Sequence, residues 1–183
     1  MGCDLTGGRL LLCTDRLGGA KRLFLANFDP DRVHELPVTA KELTEMFAMD
    51  ISRYDLEEGA GGMAETTAKP GNGSRSYDIS GEFSIAGVTK EMQEELDLVT
   101  AAKLWVFVED KNGNVILYGR ESGCEALGTG ETGAAKGDLN GYKIAITGAE
   151  RYSSPLCKPF TNYPFDTYTT LPPVITPAFP VVA

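Results

Sequence analysis

Hydrophobic and polar positions in this chain mostly alternate with a period of two, in short runs separated by glycine-rich turns. The clearest runs are Leu104-Trp105-Val106-Phe107-Val108 and Val115-Ile116-Leu117-Tyr118-Gly119. Asn112-Gly113 lies between them, and Asn and Gly accept the positive φ of a tight turn, so the pair predicts a β-hairpin. A third run, Tyr142 to Thr147, is expected in the same sheet. Upstream, Arg22 to Asn27 predicts a strand closed by the turn dipeptide Asp29-Pro30, with a brief strand over Leu36–Thr39. Met46 to Leu56 partly alternates, and Ser76 to Ile85 places Tyr77, Ile79, Gly81, Phe83 and Ile85 on one face. These two read as the arms of a second hairpin.

One segment has helical spacing. Over 89–102, Thr89 is a good N-cap, Glu91, Glu94 and Glu95 suit the positive end of the helix dipole, and Met92, Leu96 and Val99 form an apolar stripe. The opposite face is acidic, and Lys103 is expected to help close the C-terminal end. Two stretches resist both periods. Residues 57–75 are rich in Gly, Ala and Thr and read as a long hairpin loop that buries nothing. Such a loop either orders against a neighbouring molecule or stays a mobile surface loop. Residues 153–183 carry Pro155, Pro159, Pro164, Pro172, Pro173, Pro177 and Pro180, seven of the ten prolines, interleaved with aromatics. Proline lacks the amide donor, so this stretch is expected to be neither helix nor central strand. It reads as a stiff extended arm, suited to lying across another surface. The division expected is therefore a β domain over 1–152 and an arm over 153–183.

Composition narrows the classes. At 183 residues the chain can bury one real core. A net charge of −9 argues against a basic nucleic-acid-binding face, since phosphate contacts need clustered Lys and Arg. No run of about 18 apolar residues exists, so no membrane helix is expected. Met1-Gly-Cys-Asp-Leu-Thr lacks the positive charge and apolar stretch of a secretory signal, and the protein is expected to be made and kept in the cytoplasm. Cys3, Cys13, Cys124 and Cys157 are scattered, with His34 the single histidine, so inert reduced thiols are expected rather than a zinc site.

Candidate chemistry does not accumulate. Gly128-Thr-Gly130-Glu-Thr-Gly133 satisfies a dinucleotide pattern literally but precedes a strand rather than opening a helix. Asp110, Asn112, Asn114 and Glu121 fit positions of a calcium loop, but Val115 stands where glycine is required and a hairpin turn accounts for them. His34 has no partner in its context for nucleophilic catalysis, and the pairs Glu57-Glu58 and Glu94-Glu95 lie on poor ground for raising a pKa. The expectation is a non-enzymatic protein with no cofactor and no metal.

The block Val108-Glu-Asp-Lys-Asn-Gly-Asn-Val-Ile-Leu-Tyr-Gly119, with Gly137-Asp-Leu-Asn-Gly-Tyr142 and its continuation to Glu150, resembles the tail tube proteins of tailed bacteriophages. The opening through Gly18-Gly-Ala-Lys-Arg-Leu-Phe-Leu-Ala-Asn27 is similar to the same group, and the resemblance spans about residues 5–152. Lys136 stands where that pattern has an apolar residue. The resemblance implies a mainly β subunit, an antiparallel β-sandwich or split barrel with one flanking helix. It implies stacked homohexameric rings forming a tube through which DNA passes without specific binding, in a virion tail assembled in the host cytoplasm. The implied partners are further copies of the chain and tape measure, tail terminator and baseplate proteins, with no membrane. In that setting Glu57, Glu58, Met63, Lys69, Pro70 and Arg75 are expected to contact the next ring, and Phe160, Tyr163, Phe165 and Tyr168 to carry the arm's contacts. A neck, terminator or baseplate ring protein is the nearest alternative, and a soluble β-rich ligand-binding domain the more distant one.

Overall fold

A computed structural model describes residues 17–68, 75–133, 139–170, 172 and 174–175. In chain order the elements are β1 (Ala20–Asn27), a 3-10 turn (Pro30–Glu35), β2 (Val38–Thr39), β3 (Glu42–Leu43), β4 (Ile51–Asp55), β5 (Gly61–Ala68) and β6 (Ser76–Ala86). Then follow α1 (Lys90–Ala101), β7 (Leu104–Asp110), β8 (Val115–Tyr118), β9 (Glu125–Glu131), β10 (Gly141–Glu150), β11 (Leu156–Cys157) and β12 (Val174–Ile175). The protein is mainly β and has two sheets. One has eight strands in the order β12-β4-β1-β7-β8-β11-β3-β2, the other four in the order β5-β6-β10-β9.

The uninterrupted apolar run Leu104 to Val108 has its reason in this layout. The strand β7 sits between β1 and β8 and is buried on both faces, so alternate residues enter two different cores. Leu104, Val106 and Val108 join Leu23, Leu25, Phe83, Ile144 and Ile146 in the core between the sheets. Trp105 and Phe107 face the other way and pack with Phe24, Leu36, Leu43, Ile51 and Leu117. A wholly buried Glu109 ties β7 to β1 through Lys21 at 3.0 Å and Arg22 at 2.9 Å. The expected hairpin joins β7 to β8; the Asp110 carboxylate accepts the N–H groups of Asn112 and Asn114, and Gly113 takes φ 82°. Those two residues serve the turn, as the sequence suggested.

The helix also forms where its spacing predicts. The Thr89 hydroxyl accepts the Met92 N–H, Met92 and Val99 are buried, and Leu96 packs on the inter-sheet core. Tyr54 on β4 donates to Glu95 at 2.5 Å, anchoring the helix to the larger sheet, and burial pushes the Tyr54 phenol pKa upward. Lys103 reaches across to the Ser122 carbonyl rather than capping its own helix.

Four expectations need correction. First, the run 142–147 belongs to β10 in the four-stranded sheet, not to the sheet of the β7–β8 hairpin. Its alternating Tyr142, Ile144 and Ile146 bury one face only, and that pattern cannot say which sheet it joins. Second, 46–56 and 76–85 are not paired: β4 lies beside β1, and β6 lies between β5 and β10. Third, 57–75 is not one long loop. Glu57 to Ala60 makes a turn, with the Ala60 N–H on the Glu57 carbonyl, and β5 then pairs with β6 over eight residues. A strand of Gly, Ala and Thr has weak intrinsic preference. It is specified by what lies opposite: Gly81 leaves the space that the Met63 side chain fills, and a Cβ on Gly61 would strike the Glu82 carbonyl.

Fourth, residues 153–170 are part of the body rather than an arm. The strand β11 pairs with β3 and β8 inside the larger sheet. The Phe165 ring meets Phe24 and Phe107 edge-on at 5.3 Å each, with its backbone held at φ 75°. The Tyr168 hydroxyl donates to the Leu43 carbonyl and accepts the Lys158 N–H. Asp166 draws in the intervening turn by accepting the N–H groups of Thr161, Asn162 and Tyr163. Prolines cut this segment into pieces too short for a periodic signal, yet its aromatics are what seal the second face of the large sheet. The short β12 then pairs with β4 at the far edge.

Candidate assembly interface

The four-stranded sheet differs from its partner in having one buried face. Ile79 and Phe83 on β6, Ile144 and Ile146 on β10 and Ala126 on β9 point to the inter-sheet core. The alternation then sends Asp78, Ser80 and Glu82, Lys143, Ala145 and Thr147, and Glu125 and Glu131 outward. The outward face of β5 adds Gly62, Ala64 and Thr66. Most of the side chains on this surface are short, but Leu127, opposite Ala145, also lies on it. Its charged residues are Asp78, Glu82, Glu125 and Glu131 against Lys143, whose ammonium lies 3.0 Å from Glu131 and is held protonated by that contact. The face is therefore anionic.

Both borders of this sheet are open among the described residues. The strand β5 pairs only with β6, and β9 only with β10. Three antiparallel steps separate them, so β5 and β9 run in opposite directions, and the β9 border of one copy is the right polarity to continue the β5 border of another. Neither strand contains Lys or Pro, the residues that commonly discourage edge pairing. Two of the three glycines that mimic a dinucleotide motif have their reason here. Leu96 of α1 occupies the space a side chain at Gly128 would need, and Gly130 lies against the Tyr142 ring. Beside this border Leu127 and Leu98 are 70% and 72% exposed.

The residues singled out in 57–75 are split by this geometry. Glu57 and Glu58 are exposed at the turn before β5, Glu58 reaching Lys111 at 3.2 Å. Met63 points inward and packs, partly buried, against the core. Arg75 is exposed, its guanidinium over the Tyr77 ring; Lys69 and Pro70 lie outside the described residues. In the Pro-rich segment Phe165 and Tyr168 are 2% and 4% exposed and are used within the subunit. Phe160 packs partly on the second core, and Tyr163 is exposed. Sequence reasoning missed the outward face of β6 and β10. Its signal was present, as the polar half of the alternation at Asp78, Ser80, Glu82 and Ser84.

Burial pushes the Cys124 and Cys157 thiols up to about 12, so both stay protonated at neutral pH. Burial also raises Glu150, whose carboxylate accepts the N–H groups of Glu121 and Ser122 at the end of β10. No group of His, Cys, Asp and Glu among the described residues is arranged to hold a metal ion. No helix among them is long and apolar enough to cross a membrane. Cys3 and Cys13 lie outside the described residues. No family model matches the chain, and neither curated proteins nor solved structures give a significant match.

Proposed function

We propose that this chain is a structural, non-enzymatic virion protein that assembles into stacked homohexameric rings, forming a bacteriophage tail tube through which DNA passes. The observation that carries the reading is the four-stranded sheet, with two oppositely directed borders that are open among the described residues and one anionic face of mostly short side chains. Unpaired edge amides favour pairing with another strand, and repeating the β5-to-β9 junction around an axis closes the sheet into a barrel without edges. A head-to-tail contact of this kind closes into a ring when its rotation permits. The number six and the stacking come from the family resemblance.

The outward face fits the wall of such a pore. Acidic groups repel phosphate over a distance set by the screening length, about 8 Å at physiological salt, and short side chains offer little to grip a passing duplex. The tape measure, terminator and baseplate partners belong to the same proposal. Electron microscopy of the purified protein is expected to show rings or tubes with an axial pore. Particles that stay monomeric in the virion setting, with no pore, overturn it; a single ring per virion would instead make the protein a neck or terminator component.

A further inference from the structure

The two borders of the four-stranded sheet hold their backbone groups in a definite phase. The Ser84 N–H donates to the Ala60 carbonyl, and the Gly87 N–H to the Asn140 carbonyl. Hydrogen-bonded and non-hydrogen-bonded pairs alternate along an antiparallel ladder. Carried along the registers of the sheet, these two bonds fix the direction of every backbone group on the borders. The N–H and C=O groups of Met63, Glu65 and Thr67 turn away from β6, and those of Ala126, Gly128 and Gly130 turn away from β10. The same registers define rows across the strands, one of which reads Gly62, Glu82, Ala145 and Leu127 on the outward face.

Few ways exist to continue that row into another copy. Leaving Leu127 on β9, it arrives on β5 of the next copy at Gly62 again or some residues beyond it. An odd displacement would set outward side chains beside inward ones and free amides beside paired ones, so the displacement is even. A displacement of four pairs all seven residues of β9, 125–131, with 68–62 of the next copy. Displacements of zero, two and six pair four, six and five residues. Barrel closure selects the same register. At about 3.4 Å per residue and about 4.8 Å between strands, four residues over four strands tilt the sheet by about 35°, against about 20° for two and about 47° for six. Closed barrels tilt their strands by about 35–45°. We infer that β9 of one copy pairs antiparallel with β5 of the next in the register that sets Leu127 opposite Thr66, Thr129 opposite Ala64 and Glu131 opposite Gly62. Leu127, 70% exposed in the single chain, gains a cross-strand neighbour there. The free groups of Ala126, Gly128 and Gly130 meet those of Thr67, Glu65 and Met63. This rests on the self-association part of the reading above and adds to it which residues meet.

Paired cysteines in the full chain test the register. In it, positions 129 and 64 form a non-hydrogen-bonded pair with Cα atoms about 4.5 Å apart, within disulfide reach. Thr129→Cys with Ala64→Cys, oxidised during assembly, is expected to give a covalent ladder on a non-reducing gel. Mass spectrometry is expected to find the 129–64 linkage in that ladder and in neither single variant. Thr129→Cys with Gly62→Cys, or with Thr66→Cys, places the thiols diagonally, about 7–8 Å apart, and is expected to link poorly. A ladder strongest in either of these overturns the register. As a second measurement on the unsubstituted chain, amide exchange at 63, 65, 67, 126, 128 and 130 is expected to slow roughly tenfold or more on assembly. Unchanged exchange there also overturns the inference, whether or not the cysteine variants fold. Particles with a pore but no 129–64 link would remove this contact and leave the tube reading standing. A 129–64 link in assemblies that never form a pore would do the reverse, and a chain that stays monomeric overturns both.

Discussion

The two sheets of this subunit use the same alternation for opposite ends. In the eight-stranded sheet both sets of side chains are large and apolar, and the central β1 and β7 are covered from both sides. In the four-stranded sheet one set packs on the core and the other is mostly Ser, Ala, Thr and acid, with Lys143 and Leu127 among them. The first sheet holds the molecule together, with Trp105, Phe107 and Phe165 contributing buried area that no solvent-facing strand can match. The second presents a surface and two borders. Under the proposed reading stability and assembly fall to different residues, and substitutions should separate them.

The sharpest way to break the comparison is truncation after Tyr152. If residues 153–170 belong to the large sheet's second core, the truncated chain loses cooperative folding, read as loss of a two-state denaturant transition. A truncated protein that folds normally and fails only to assemble would restore the picture of a separate arm. Next in size, Phe165→Ala is expected to cost about 3–5 kcal/mol in urea unfolding, since it opens a cavity between Phe24 and Phe107. Gly81→Val places a side chain where Met63 packs and should cost about 1–3 kcal/mol, testing whether β5 is structural. A loss near zero would mean that the segment is dispensable to the subunit.

The outward face should behave differently. Ala145→Lys with Thr147→Lys is expected to shift subunit stability by no more than about 0.5 kcal/mol each. The pair offsets most of the negative charge of the face, and under the proposed tube reading slower DNA release from assembled particles is the expected readout. A large loss of stability from this pair would show the face to be buried in the subunit rather than presented by it.

The smallest effect is a pH dependence at Asp166. Hydrogen bonds from the N–H groups of Asn162, Thr161 and Tyr163 hold its carboxyl below the ordinary 3.8. A folded-state value below the unfolded one contributes stability that is complete above the unfolded pKa and is lost as pH falls through the folded one. The window is therefore below about pH 3.8, and Asp166→Asn should flatten the slope of stability against pH there. An unchanged slope would remove Asp166 as a determinant of the turn that delivers Phe165.

Much of the fold was legible because its signals are local. Thr89 and the Met92, Leu96 and Val99 stripe define the helix without help from distant residues, and Asn112-Gly113 defines a hairpin through its own backbone preference. The alternation in Ser76 to Ile85 and Tyr142 to Thr147 likewise states that each strand has an inner and an outer face. The candidate interface was half legible: the acids were visible on the polar side of β6, but not that β9 and β5 would stand, among the described residues, at open borders of opposite direction.

What the sequence determined alone is therefore a set of short elements, their caps and turns, and the sign of the charge they carry, because each of these is decided within a few residues. Only the tertiary structure decided which sheet a strand joins, that a Gly, Ala and Thr run becomes β5, and that a proline-rich stretch closes a core. The reason is that pairing and packing are settled between residues far apart in the chain. Gly81 specifies Met63, and Phe24 with Phe107 specifies Phe165, through space that no local pattern records.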